Sequence, residues 1–211
     1  MGIPVLVLGK SGSGKSASLR NFSPDEIGIL NVASKPLPFK GGNKYKKINN
    51  AGYGTILKAL SPPKLKTYVI DDSQYLMAFD SFAKAKVTGY GKFTDMAVNF
   101  YNLLQHIIRN TPDDTIVYLL HHVEETPSGG LKAKTIGRML DEQLTIEGLF
   151  SIVLMAVNNE GQYMFVTHSD GTNSIKTPMG MFEEDAIEND LKAVDTAIRE
   201  YYELNGGNEN E

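Results

Sequence analysis

Residues 3–16 read IPVLVLGKSGSGKS, and this stretch decides the fold. An apolar run, Ile3 to Leu8, ends at Gly9 and is followed by a loop of glycine and serine that closes with Gly14-Lys15-Ser16. The spacing Gly9-x4-Gly14-Lys15-Ser16 matches the phosphate-binding loop pattern, whose required context is a buried strand before it and a helix after it, here at residues 17–21. The stretch therefore predicts a nucleotide-binding α/β protein.

The residue types in this loop suit a triphosphate. Glycines at positions 9, 12 and 14 let successive backbone N–H groups point at phosphate oxygens, and the start of the following helix adds partial positive charge. Lys15 is expected to reach the β- and γ-phosphates of ATP from an exposed position in the empty site, and Ser16 to ligate Mg²⁺. A flexible Gly/Ser turn is the alternative interpretation. The predicted nucleotide-binding residues are Gly9, Lys10, Ser11, Gly12, Ser13, Gly14, Lys15, Ser16 and Ala17.

Length and composition bound the class of protein. The 211 residues predict one domain over residues 1–204 and a disordered tail over 205–211. The chain has no cysteine, which excludes disulfides and thiolate metal sites and fits a reducing cytoplasm. It has no apolar stretch of the ~18 residues that cross a bilayer, and Met1 to Pro4 leads into the first strand without a signal peptide. We therefore expect a soluble, cytoplasmic protein without a membrane partner.

The net charge of -4 is unevenly distributed. Residues 1–70 carry eleven Lys and Arg against two acids, whereas residues 71–211 carry ten against twenty-three. A basic N-terminal part suits phosphate-rich ligands, and the acidic remainder argues against a chain that coats nucleic acid along its whole surface. Any contact with nucleic acid is therefore expected to be local.

A second acidic element follows the third predicted strand. Residues 67–73, TYVIDDS, form a β-branched apolar strand that runs into two carboxylates. An acid at the carboxyl end of a neighbouring parallel strand can hold the Mg²⁺ shell. We assign Asp71 to the magnesium ion, directly or through water, and Asp72 to polarising the attacking water. The alternative is that Asp72 or Ser73 only caps the helix expected over residues 74–83.

The rest of the chain supplies a sheet and its covering helices. We predict strands at 27–32, 115–120, 151–158 and 161–168, the last two joined in a hairpin at Asn159-Glu160, and helices at 54–60, 94–109 (capped by Thr94) and 186–202. Residues 34–50 read as a solvated basic loop, with phosphate-backbone contact as the alternative. The predicted fold class is α/β, a mostly parallel sheet flanked by helices with a C-terminal antiparallel hairpin.

Two histidines follow the strand at 115–120. Adjacent residues on an extended strand point to opposite faces, so His121 and His122 make a poor chelating pair even with Glu124 and Glu125 nearby. We expect one of the two to pack in the interior and the other to face the nucleotide as a polar sensor.

The order of these motifs resembles the RecA-like recombinase core, in particular the small phage-encoded P-loop ATPases of the single-strand-annealing class. The resemblance covers about residues 1–200. It is carried by the phosphate loop, VIDDS, a glycine-containing loop before a long helix, LLHH, and TPSGGLKAK before a late hairpin. It implies an Mg²⁺-ATP-dependent protein that assembles into a ring or filament on single-stranded DNA in the cytoplasm of a bacterial host. A single-strand-binding protein is a further partner that it implies.

The resemblance also implies roles for two stretches. The first basic segment, residues 84–93, would face single-stranded DNA; its contact residues are Lys84, Lys86, Tyr90, Lys92 and Phe93. Aromatic rings interleaved with lysines are what a sequence-tolerant single-strand site needs. In the second basic segment, residues 126–140, Lys132, Lys134 and Arg138 would act catalytically across a subunit interface. Ordinary mobile connections are the alternative interpretation of both.

Two departures keep other functions open. RecA-like proteins usually carry a catalytic glutamate after the second strand, where this chain reads NVASKPL, so either Asp72 takes that work or hydrolysis is slow. Lys10 lies where ParA/MinD-like ATPases carry an additional lysine, which makes a nucleotide-switched binding module one alternative. A small-molecule nucleotide kinase is a weaker one, because such kinases clamp phosphates with several arginines and this chain has four.

Overall fold

The computed structural model describes residues 1–89, 91–127, 129–136 and 144–204. Tyr90, Arg138 and the tail at 205–211, for which the sequence made predictions, lie outside these ranges. The described residues form an α/β structure around strand β1, Ile3–Gly9. This strand is buried because its apolar side chains face helices on both sides of the sheet.

The sheet is mixed and mostly parallel. The remaining strands are β2 (Ile27–Asn31), β3 (Lys47–Asn49), β4 (Thr67–Asp71), β5 (Ile116–Glu125), β6 (Leu131–Ala133), β7 (Ile152–Asn159), β8 (Gln162–Val166) and β9 (Ala186–Glu188). Their order is β3-β2-β4-β5-β1-β7-β8-β9, with β6 paired to the end of β5. The pairs from β3 to β7 are parallel, whereas β7–β8, β8–β9 and β5–β6 are antiparallel.

Helices cover both faces of this sheet. They are α1 (Tyr53–Ala59), α2 (Tyr75–Ala83), α3 (Gly91–Asn110) and α4 (Leu191–Tyr201), with a 3₁₀ helix at Ser16–Asn21. One buried cluster joins α1, α2 and α3 to alternate residues of the strands, such as Leu6 and Leu119. The other joins the 3₁₀ helix and α4 to the intervening residues, such as Val7 and Tyr118. The two-residue period of the strands thus divides the core between two layers.

The register of the parallel strands brings four chain segments to one edge of the sheet. Gly9 at the end of β1 lies opposite His122, and Asn31 at the end of β2 lies opposite Asp71 at the end of β4. Since β5 lies between β1 and β4, the loop after β1 and the acids after β4 are separated by the width of one strand. This edge carries the candidate site.

Two predicted helix starts are wrong. The last helix begins at Leu191 and not at Ala186, because Ala186–Glu188 pairs with β8 as a strand. The Asp190 side chain caps this helix by accepting hydrogen bonds from the backbone N–H groups of Lys192 and Ala193. Helix α3 begins at Gly91, three residues before the expected cap at Thr94. Lys92 and Phe93 therefore lie on a helix and not in a loop.

Smaller boundary differences have local causes. Strand β5 continues past residue 120 to Glu125 because β6 pairs with its end. Residues 47–49 of the expected loop form an edge strand on β2. The β7–β8 turn is centred on Glu160-Gly161, both at positive φ (52° and 91°), one residue later than expected.

Across the described ranges, no helix combines the length and the apolar character needed to cross a membrane.

Candidate functional site

A cleft of about 320 Å³ opens at the carboxyl edge of the sheet. Its walls come from the loop after β1 and from the ends of β2, β4 and β5, with one aromatic ring from β8. The lining residues are residues 11–17, Lys35, Pro36, Pro38, Asp71, Asp72, His122 and Tyr163. Residues far apart in sequence, most of them polar or small, thus share one concave surface.

The loop after β1 adopts backbone conformations that require glycine. Gly12 and Gly14 have φ of 78° and 94°, and a Cβ on Gly14 would lie 2.7 Å from the Tyr163 ring. A side chain on Gly9 would collide with the Ser13 hydroxyl and with the Ala156 carbonyl oxygen. The Ser13 hydroxyl is buried and has no hydrogen-bond partner in the described part of the chain. The loop therefore forms a compact concavity that contains the Ser13 hydroxyl, for which the described residues provide no hydrogen-bond partner.

Lys15 is buried, which corrects the expectation of an exposed side chain. It is 7 % exposed, and its Nζ donates hydrogen bonds to the carbonyl oxygens of Gly9 at 2.7 Å and Lys10 at 2.9 Å. Burial lowers the pKa of Lys15 to about 8, although Asp72 and Asp71 act in the opposite direction. The carbonyl groups of its own loop hold the ammonium in place, so Lys15 is pre-positioned beside the concavity.

Ser16 and Asp71 meet on the other side of the loop. The Ser16 hydroxyl donates a 2.7 Å hydrogen bond to Oδ1 of Asp71, a carboxylate that is 4 % exposed. Burial raises the pKa of Asp71, and the bond from Ser16 counteracts part of that shift. A hydroxyl and a carboxylate oxygen in contact, with space for water, form the oxygen donor set that Mg²⁺ prefers. These two residues therefore fit the predicted metal.

Asp72 is held by two cationic or polar partners. Its backbone lies in the left-handed region at φ 62°, Oδ2 is 2.7 Å from the Nζ of Lys35, and Oδ1 is 3.2 Å from Nε2 of His122. Burial alone would raise the pKa of Asp72, but the hydrogen bonds from His122 and Lys35 outweigh it and lower the pKa. Asp72 is therefore a carboxylate whose two oxygens are both engaged.

The two histidines have different environments. His121 is fully buried, with Nδ1 2.9 Å from the Ser73 hydroxyl and Nε2 2.8 Å from the Lys134 carbonyl oxygen. Because a carbonyl only accepts, Nε2 carries the proton and Nδ1 accepts from Ser73. Burial lowers the pKa of His121 to about 4, so this ring is neutral. His121 packs, His122 lines the cleft, and phosphate sensing stays a prediction.

No group of three or more His, Asp or Glu side chains with the geometry to hold a metal ion occurs in the described ranges.

Several predicted residues lie away from the cleft. Lys10 forms a 2.8 Å ion pair with Glu125 and is not among the lining residues. In the first basic segment, Lys84 pairs with Asp80 at 3.2 Å, Lys86 is exposed, and Lys92 lies over the Phe93 ring in the first turn of α3. None of the described residues of this segment lines the cleft.

The second basic segment touches the site through its backbone. Lys132 pairs with Glu124 at 3.3 Å across the β5–β6 ladder. The Lys134 side chain is exposed, but its backbone N–H donates to the His122 carbonyl and its own carbonyl accepts from His121. The described part of this segment is therefore tied to the strand that carries both histidines.

The sequence reasoning missed four lining residues, which are Lys35, Tyr163 and the two prolines Pro36 and Pro38. Lys35 follows β2 at the start of the predicted solvated basic loop. The available signal was that β2 runs parallel to β4, which places the end of β2 beside the acids after β4. Tyr163 lies on β8, and nothing in its local pattern indicates that the hairpin places it beside Gly14. The positions of Lys35 and Tyr163 in the cleft depend on the order of the strands, which the local sequence does not give.

No protein-family model matches this chain, and no curated protein sequence matches it. The function is therefore argued from the cleft itself.

Proposed function

We propose that this chain is a RecA-like P-loop ATPase that binds Mg²⁺-ATP in the cleft, hydrolyses it, and assembles on single-stranded DNA in phage-type recombination or annealing. The observation that carries the proposal is the contact between the Ser16 hydroxyl and Asp71 Oδ1 beside the pre-positioned ammonium of Lys15. A phosphate loop, a metal donor pair and a buried cation in one cleft are what a nucleoside triphosphate with a divalent metal requires.

The residues divide the work by their chemistry. The backbone N–H groups of the loop and the Lys15 ammonium bind phosphate oxygens, and Ser16 with Asp71 hold the metal. Bound Mg²⁺ supplies charge neutralisation at the phosphate oxygens. Asp72, whose pKa is lowered, stays a carboxylate at neutral pH and can accept a hydrogen bond from a water molecule.

The proposed reaction is hydrolysis. The oxygen of a water molecule forms a bond to the terminal phosphorus, and the bond from that phosphorus to the bridging oxygen breaks. ADP leaves with the electron pair of the broken bond, one proton of the water stays on the inorganic phosphate, and the other passes to solvent. Lys15 stabilises the charge that develops on the transferring group.

The DNA and assembly parts of the proposal depend on the two basic segments. Exposed Lys86, together with Lys92 over the Phe93 ring, offers a cation and an aromatic face at the start of α3. Lys132 and Lys134 belong to a segment whose backbone bonds to the histidine pair, which supports communication between that segment and the cleft. A homo-oligomer and a cytoplasmic setting follow from the same proposal.

The test combines nucleotide, partner and assembly. Fluorescence anisotropy of a labelled single strand is measured with and without Mg²⁺ and a non-hydrolysable ATP analogue, and particle mass is measured by light scattering on the same samples. We expect single-strand binding that is salt-dependent and ATP-sensitive, with a larger particle in the full mixture. Single-strand affinity that does not change with the nucleotide would contradict the recombination assignment. A protein without affinity for Mg²⁺-ATP would contradict the whole proposal.

A further inference from the structure

A second lysine reaches the cleft from outside the phosphate-loop pattern. Lys35 follows β2, lines the cleft together with Lys15, and lies 2.7 Å from Oδ2 of Asp72 through its Nζ. Burial opposes the charge of Lys35, but the hydrogen bond and charge of Asp72 outweigh it and raise the pKa of Lys35. The side chain is therefore an ammonium that faces the same space as the loop lysine.

The backbone that presents Lys35 is fixed by neighbouring side chains. Ser34 lies in the left-handed region at φ 58°, and the Asn31 side chain donates a 2.6 Å hydrogen bond to the Lys35 carbonyl oxygen. The Ser34 hydroxyl and Asn50 bond to each other twice, at 2.9 and 2.8 Å. A non-glycine residue in this region costs energy and persists where the surroundings impose it, often next to a functional site.

The ammonium itself can move. The Lys35 side chain is 54 % exposed, and its Nζ lies 5.1 Å from the centre of the Tyr75 ring. A lysine has a flexible four-carbon stem and a compact charge, so its head group can exchange one oxyanion for another without movement of the backbone. The backbone at Lys35 is thus fixed by hydrogen bonds, whereas its ammonium group can change partners.

We infer that Lys35 is a catalytic residue that binds the terminal phosphate of the nucleotide and exchanges its contact with Asp72 for that phosphate. This inference rests on the proposed function. A terminal phosphate brings more negative charge into the cleft than one carboxylate does, and the cleft that would receive it is lined by Lys15, Lys35 and Asp72. A nucleoside diphosphate lacks this group and leaves Lys35 on Asp72.

The exchange would also change what Asp72 can do. In the structure, both of its oxygens are engaged, Oδ2 by Lys35 and Oδ1 by His122. When Lys35 turns to the phosphate, Oδ2 becomes free to accept a hydrogen bond from the attacking water. The contact between Lys35 and Asp72 thereby makes activation of water depend on the presence of a third phosphate.

The experiment measures discrimination between triphosphate and diphosphate. Dissociation constants for a non-hydrolysable ATP analogue and for ADP, each with Mg²⁺, are measured by calorimetry for the wild type, for Lys35→Gln and for Lys35→Arg. For Lys35→Gln we expect affinity for the triphosphate to fall by about tenfold or more, the effect of one charge-assisted hydrogen bond, and affinity for ADP to change by less than about twofold. Lys35→Arg keeps the charge and is expected to retain most of the discrimination.

The matched control is Lys40→Gln, which removes a lysine from the same basic stretch but not from the cleft. It should leave both constants unchanged. A wild type that binds neither nucleotide would overturn the proposed function and this inference with it. A wild type that binds both, with an unaltered ratio in Lys35→Gln, would overturn only the inference, as would an equal loss for the two nucleotides. Should Lys35→Gln fail to fold, Lys35→Ala, which also removes the charge, is measured in its place, and the same outcomes support or overturn the inference.

Discussion

The cleft and the two basic segments both carry charged residues, but they hold them in different surroundings. Lys15, Asp71 and Asp72 are 7, 4 and 6 % exposed. The side chains of Lys132 and its partner Glu124 are 30 and 31 % exposed, and Lys86 is exposed. Removing one partner of a buried group leaves another buried charge uncompensated, whereas exposed pairs contribute little and are screened by salt. Substitutions in the cleft should therefore have large effects on activity and stability. Substitutions in the basic segments should have small effects that depend on salt concentration.

Two lysines of the loop after β1 lie in these different surroundings, and removing each in turn is expected to have the largest difference in effect. Lys15→Ala deletes the ammonium beside the phosphate concavity, so we expect ATP turnover to fall by at least about hundredfold, the loss typical of one removed charge-stabilising donor. Lys10→Ala is the matched control, because Lys10 forms an exposed pair with Glu125. Turnover measured by phosphate release should change by less than about twofold in that variant.

The result for either variant can contradict the assignment of the cleft as the catalytic site. Unchanged turnover in Lys15→Ala would mean that the catalytic site is elsewhere. A large effect of Lys10→Ala, with loss of ATP-dependent dimers in light scattering, would favour the ParA/MinD-like alternative.

The second prediction concerns the pH dependence of stability. Burial lowers the pKa of Lys15 to about 8 from an ordinary value of 10.5, so above about pH 8 the unfolded chain binds more protons than the folded one at this group. Stability therefore rises with pH in this range, by about 2 kcal/mol between about pH 8 and about pH 9.5. Chemical denaturation at several pH values measures this rise. The range stops below about pH 10, because the partly buried Tyr53 has a raised pKa and lowers stability as pH rises above that value.

The control for this dependence is Lys15→Met, which keeps the length of the side chain and removes the titrating group. We expect the free energy of unfolding of this variant to be independent of pH over the same range. An equal slope in both proteins would show that another group causes it.

The contrast between the two surroundings also explains what the sequence could predict. The phosphate loop is contiguous, so its glycines, Lys15 and Ser16 are recognisable from spacing alone. Asp71 and Asp72 were found because a strand that ends in acids is a local pattern, and because the carboxyl ends of parallel strands share an edge. The mostly parallel sheet and its covering helices followed from the alternation of such segments.

Features that depend on distant partners could not be predicted from the sequence. The burial of Lys15 arises from the carbonyl groups of Gly9 and Lys10, which a linear pattern does not orient. Lys35 reaches Asp72 only because β2 pairs with β4. The apolar residue Ile187, assigned to the last helix by its spacing, instead pairs with Phe165 in the sheet. Helical spacing in a short segment did not distinguish a strand and a capped helix from one longer helix.

The smallest expected effect lies in the first basic segment. Lys86 is exposed, whereas the charge of Lys84 is shared with Asp80 at 3.2 Å. If both face single-stranded DNA, Lys86→Ala should weaken binding about two- to fivefold and lower the slope of log affinity against log salt by about 0.7, the value for one charge on a single strand. Lys84→Ala should have less effect, because Asp80 already compensates much of the Lys84 charge in the wild type.

Anisotropy titrations at several salt concentrations measure this slope for both variants. Lys192→Ala is the control, because α4 packs on the face of the sheet opposite α2 and α3, and Lys192 pairs with Glu26. Equal slopes in all three variants would place the DNA elsewhere, and a larger loss from Lys84→Ala than from Lys86→Ala would mean that the pair with Asp80 opens when DNA binds. A slope change confined to Lys86→Ala is the result expected if exposed, unshared charge decides where a single strand lies on this protein.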